Sequence, residues 1–184
     1  MHLRLIILLI LGPLAVTPPG LRADVRECVC DLTRPETAAS EMCRLCVAAD
    51  KQPRYEIVFT MKDPARATQW LALPRGKFEG ANPLLKMTET ERIALWSLAI
   101  QKASDLWGTD WAVAMNGAMT ETQCHASVHI GRFLPEKENN RGAYIDGIED
   151  LPVNFDARGL WFHPANGRLH VHTGEEDADR VLAK

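Results

Sequence analysis

The sequence predicts an α+β fold: an antiparallel sheet, one long packed helix and a C-terminal β-hairpin. Three observations predict it. Runs rich in β-branched, aromatic and other apolar residues at 54–62, 69–74, 111–116 and 125–133 are bounded by Pro, Gly and Asn. A capped amphipathic stretch begins at Thr88 and stops at Gly108. Near the end, Asn166-Gly167 sits between two short apolar runs, a strong local signal for a hairpin. With 184 residues, 46% hydrophobic and 24% charged, the chain is long enough for one sizeable core, so a single domain is expected.

Residues 1–23 read as a secretory signal rather than as part of that core. Arg4 supplies the positive start, Leu5 to Val16 is apolar, and Pro18, Pro19 and Gly20 precede Leu21-Arg22-Ala23. The apolar run is short against the roughly 20 residues a spanning helix needs, so cleavage after Ala23 is expected, with an uncleaved anchor as the alternative. An exported location, periplasmic or secreted, follows. Two of the 21 Lys/Arg residues lie in that leader and none of the 24 Asp/Glu, so its loss takes the net charge from −3 to −5. The remaining basic residues are scattered among acids. No basic surface for nucleic acid is expected.

Residues 24–53 form a cysteine-bearing arm, with helical character expected from Ala38 to Ala48. Cys28-Val29-Cys30 and Cys43-Arg44-Leu45-Cys46 admit two readings. Export favours two disulfides, formed between the pairs rather than inside them. The same four cysteines, Cys28, Cys30, Cys43 and Cys46, could instead hold zinc. Cys124 is left over as a small buried hydrophobe.

Residues 54–134 carry the core. Arg54–Lys62 reads as a strand, Asp63–Arg66 as a turn, and Gln69–Leu73 as a second strand closed by Pro74. The loop at 75–87 leads to Thr88-Glu89-Thr90-Glu91, a capping box. Leu95, Trp96, Ala99, Ile100 and Ala103 then recur at helical spacing. Trp111–Asn116 and His125–Phe133 are two further strands. Residues 135–184 extend the domain with a long surface excursion over 135–158 and the hairpin.

The strand at 125–133 is the most informative stretch. Alternation puts His125, Ser127 and His129 in one row, about 7 Å apart, and sends Ala126, Val128 and Ile130 to the core. Two imidazoles in register can grip a phosphate by hydrogen bonds and, when protonated, by charge. A solvated sheet face with no ligand would look the same.

The order strand, strand, capped helix, Asn-Gly strand, Gln-x-His-x-x-x-His strand resembles the histidine-triad (HIT-like) superfamily. The nearest branch is that of the CDP-diacylglycerol pyrophosphatases, which also have an exported or anchored N-terminus with early cysteines. The likeness covers roughly residues 54–134 and rests on Lys62-Asp63-Pro64, Leu71-Ala72-Leu73-Pro74, Asn116, Gln123, His125 and His129. It implies a HIT-like sheet and a pyrophosphatase-type phosphohydrolase acting on a nucleotide diphosphate or phosphate ester. A membrane-surface lipid substrate falls within that class. His125 and His129 match the first and third histidines of the family motif, and Asn116 and Gln123 match residues lining its phosphate pocket. Ser127 stands where the family has its nucleophilic histidine. Either the serine attacks, which needs an adjacent base and here lacks a Gly-x-Ser-x-Gly elbow, or the chain binds phosphate without cleaving it.

The hairpin supplies a second cluster. With Asn166-Gly167 as the turn, His163 pairs with His170, and Trp161, His163, His170 and His172 share one face. They could hold a divalent metal with Glu175 or Glu176, or complete the phosphate pocket of His125 and His129, with His163 or His170 as acid. An unliganded polar hairpin face is the third reading. No cofactor is required by the sequence, and zinc has these histidines or the cysteines as its two candidate places. All five histidines after the leader fall in the two clusters.

Overall fold

Helix α3 (Glu89–Trp107) forms where the sequence carries both of its boundary signals. The Thr88 amide donates to Glu91 Oε2 at 2.8 Å, and the Glu91 amide donates back to Thr88 Oγ1 at 3.2 Å. Gly108, at φ 63°, ends the helix in a conformation that favours glycine. The computed structural model describes residues 28, 30–76, 78, 80, 82–154 and 158–184. The expected leader at 1–23 lies outside these residues.

Among the described residues, seven antiparallel strands make one sheet. They are β1 (Val58–Lys62), β2 (Trp70–Pro74), β3 (Trp111–Met115), β4 (Val128–Arg132), β5 (Ala143–Ile145), β6 (Leu160–Ala165) and β7 (Arg168–Thr173). The spatial order is β1-β2-β4-β3-β6-β7-β5. Helix α3 covers one face: Leu95, Trp96, Ala99 and Ala103 pack on Val113, Val128, Ile130 and Phe162. Trp96 meets Phe162 edge-on with ring centroids 5.7 Å apart. Among the described residues, no helix is long and apolar enough to cross a membrane.

The opposite face is covered in three parts, and this arrangement positions everything that follows. Leu45 and Ala49 of the short helix α2 (Arg44–Asp50) pack on Phe59, Leu71 and Leu73 at the β1–β2 end. The C-terminal 3₁₀ turn Ala178–Val181, with Leu182, packs on Ala112, Ala114 and Trp161 in the middle. At the β6–β7 end the face carries histidines. The preceding helical turn, α1 (Pro35–Ala38), and a 3₁₀ turn at Glu41–Cys43 complete the N-terminal arm.

The hairpin has the expected register: Ala165 opposes Arg168, Pro164 opposes Leu169, and His163 opposes His170. Asn166 and Gly167 take φ 54° and 74°, as a primed turn requires. Three expectations are corrected. The excursion at 135–158 contains β5, a short strand that pairs Ala143–Ile145 with β7. The strand expected at His125–Phe133 starts only at Val128, because pairing with β2 stops at Ala72 and the residues before it bond elsewhere. The Cys124 amide donates to the Met42 carbonyl at 2.8 Å and the Ala126 amide to the Phe78 carbonyl at 3.0 Å.

The third correction concerns cysteine. Cys124 is not left over: it forms a disulfide with Cys28, across 96 residues of sequence, and Cys30 bonds Cys43. Cys46 is the cysteine outside both bridges, buried beside them. Folding brings the loop before β4 against the arm, a contact no local spacing encodes.

Candidate functional site

The hairpin histidines converge on a carboxylate. Glu138 lies after β4, just past a 3₁₀ turn at Pro135–Lys137. Its Oε2 is 2.5 Å from His163 Nε2 and 3.5 Å from His170 Nδ1, and its Oε1 is 3.2 Å from His172 Nε2. His172 Nε2 and His170 Nδ1 are 3.3 Å apart. One donor atom from each of the four residues lies within 4.8 Å of all the others. A tetrahedral ion with bonds of 2.0–2.1 Å needs donor separations of about 3.3 Å, so the spacing suits a zinc-sized cation.

The imidazoles are held in place from behind. Phe133 stacks on His163 at 4.2 Å between centroids, Tyr144 on His170 at 4.3 Å, and Trp161 on His172 at 3.7 Å. Gly142 lets the backbone pass close over the pair: a Cβ there would come within 2.5 Å of His170 Nε2 and 2.8 Å of His172 Cε1.

Electrostatics favour free lone pairs. Burial pushes the pKa of His172 down to about 4, with the neighbouring His170 adding to it. Burial lowers His163 as well, against the opposing charge of Glu138. Burial pushes the Glu138 carboxyl up, but the three imidazoles outweigh it and hold the acid below its usual range. At neutral pH both of those imidazoles are neutral and the carboxylate is ionised, the protonation state a metal ligand needs. His163 Nε2 is buried, and Glu138 Oε2 is the acid oxygen beside it, at 2.5 Å.

The second cluster surrounds His129. Leu71, His129, Ala114, Trp161 and His172 form one cross-strand row on the face away from α3. His129 and His172 are three strands apart in that row, about 14 Å at ordinary strand spacing. The C-terminal turn packs on Ala114 and Trp161 between them. The hairpin does not fold over β4, and a pocket shared by the two clusters does not form. Instead His129 sits between two acids, with Nδ1 3.4 Å from Asp63 Oδ2 and Nε2 3.8 Å from Asp179 Oδ2. Arg66 donates to Asp179 and lies 3.5 Å from His129 Nδ1. Burial pushes both carboxyls up, but His129 and Arg66 dominate and hold Asp63 and Asp179 low.

These residues border a cleft of about 110 Å³ that Ser127, Asn116 and Gln123 also line. Asn116 is engaged there with protein: its Nδ2 donates to Asp179 Oδ2 at 2.8 Å, and its Oδ1 accepts from the Asp179 amide at 2.9 Å. Gln123 ties down the N-terminal arm through the Glu41 carbonyl at 3.0 Å and the Leu45 amide at 3.3 Å. His125 is separated from His129. It is buried against a smaller cavity of about 20 Å³ beside Phe78 and Cys124, room for about one water. Burial lowers its pKa, with the Ala126 and Gly76 carbonyls opposing. Ser127 is buried and lines both spaces.

Neither Glu175 nor Glu176 is the fourth member of the hairpin cluster. Glu175 bonds Asn139 and Arg180, and Glu176 accepts from the Met119 amide. Glu138 was invisible in the sequence because it lies in a non-periodic loop, and Asp179 because it lies in the tail. Asp63 did carry a signal, as the middle of Lys62-Asp63-Pro64. Cys30, Cys43 and Cys124 also come close enough for a metal, with all three engaged in disulfides. No protein-family model and no curated protein matches this sequence.

Proposed function

We propose that this protein binds one divalent transition-metal ion, of the zinc class, at Glu138, His163, His170 and His172. The observation that carries the reading is the convergence of four donor atoms within 4.8 Å, three of them on imidazoles that stack on aromatic rings. Nitrogen-rich sets of this kind suit zinc, copper, nickel and iron above calcium or magnesium. Purified oxidised protein is expected to take up one equivalent of Zn²⁺ or Co²⁺ by calorimetry, and His172→Ala to lose it. Oxidation keeps the disulfide cysteines out of the titration. Unaltered uptake by His172→Ala would place the metal elsewhere.

A second reading concerns the His129 cleft, where Arg66, His129 and Ser127 border one space. A phosphate of a nucleotide or phosphate ester would bind there with Arg66 as its cationic partner and His129 as a hydrogen-bonding one. The HIT-like order of the elements supports it. Asp63 and Asp179 already engage Arg66 and His129, so weak affinity is expected. Ser127→His would place an imidazole at the nucleophile's position and is expected to raise phosphohydrolase turnover by about 10²–10⁴-fold. If neither the wild type nor this variant binds nucleotide or phosphate at millimolar concentration, the cleft has no such role.

A further inference from the structure

We infer that Glu138 is a displaceable ligand, and that the metal held by His163, His170 and His172 takes a small monoanion or hydroxide in its place. The inference rests on the metal reading above and gives that centre its ligand class.

The four candidate ligands are not equivalent. The three histidines stand on the paired strands of one hairpin, fixed by its ladder and by three stacked rings. Glu138 comes from a different part of the chain, the segment joining β4 to β5. Exposure follows the same division: the imidazole side chains are 9%, 5% and 2% exposed, whereas that of Glu138 is 27% exposed. The carboxylate is therefore the member nearest solvent, and an incoming ligand meets it first. Its further hydrogen bond comes from the adjacent Asn139 amide at 2.8 Å, a donor that travels with the same loop.

Charge permits the exchange. Glu138 is the one carboxylate of the cluster, and its other three members are imidazoles. Replacing that carboxylate on a divalent ion by another monoanion leaves the charge of the inner shell unchanged, so no desolvated charge is created. Three imidazoles with a fourth position open to water is the arrangement that brings the pKa of a zinc-bound water near 7. A site closed by four rigid ligands offers no such position.

Cobalt-loaded protein tests this, because the visible absorption of Co²⁺ reports its ligands. Wild type and Glu138→Ala are each loaded with Co²⁺ and titrated with sodium azide. The variant is expected to keep one equivalent of cobalt and to bind azide at least about tenfold more tightly than wild type, since the anion no longer competes with a tethered carboxylate. Glu138→Gln, which preserves the size of the side chain, is expected to behave similarly should the alanine variant fold poorly. Loss of cobalt from both variants would make Glu138 an obligatory ligand and overturn the inference. Retained cobalt whose spectrum ignores azide would also overturn it. Failure of the wild type itself to take up cobalt would instead overturn the metal reading, and this inference with it.

Discussion

His172 shows how strongly one side chain can depend on its surroundings. Its ring lies flat against Trp161 at an interplanar angle of 1°, and burial with the adjoining His170 lowers its pKa to about 4. In the unfolded chain an imidazole titrates near 6.5. Between about pH 6.5 and 4 the unfolded state therefore binds more protons than the folded one, and stability falls as pH falls. His163, lowered in the same direction, acts with it. Chelator-treated protein is expected to melt at a lower temperature at pH 5 than at pH 7, and His172→Ala to reduce that difference. Equal melting temperatures at the two pH values would mean that these rings are not buried neutral groups.

Among the elements, α3 is the main apolar partner of the sheet. Trp96 is 2% exposed and contacts Phe162, so Trp96→Ala is expected to cost about 3–5 kcal/mol in denaturant unfolding. A loss below about 1 kcal/mol would place that ring at the surface. Both ends of this helix were legible, because a capping box and a terminal glycine are local chemistry. The hairpin was legible residue by residue for the same reason: Asn166-Gly167 fixes its turn, and the turn fixes its register. Strand β5 was not legible, since Ala143-Tyr144-Ile145 is too short to show a period and owes its conformation to β7. The early end of β4 was also hidden. His125 and Ser127 alternate with apolar residues as a strand would, yet long-range bonds to Met42 and Phe78 hold the segment away from β2. The histidines of the hairpin were found in the sequence and their carboxylate was not, because strand residues are placed by a period and loop residues only by the finished fold.

At the scale of the whole molecule, the sulfur chemistry joins distant parts. Peptide mapping without reduction is expected to recover Cys28 linked to Cys124 and Cys30 linked to Cys43, with a mass deficit of about four hydrogens. Five free thiols accompanied by stoichiometric zinc would replace the bridges with a thiolate site. The expected leader and the clustering made disulfides legible as a class, while the partner of Cys28 was not, because 96 residues separate it from Cys124. That bridge also determines how the molecule would bear load. If it is pulled from its two ends, tension entering at residue 28 crosses directly to residue 124 and bypasses β1, β2, α3 and β3. Under oxidising conditions about 330 Å of contour length stays locked inside the loop, at about 3.4 Å per residue. A reductant would release it as added extension in a single-molecule trace, so the intact bridge shields three of the seven strands from force.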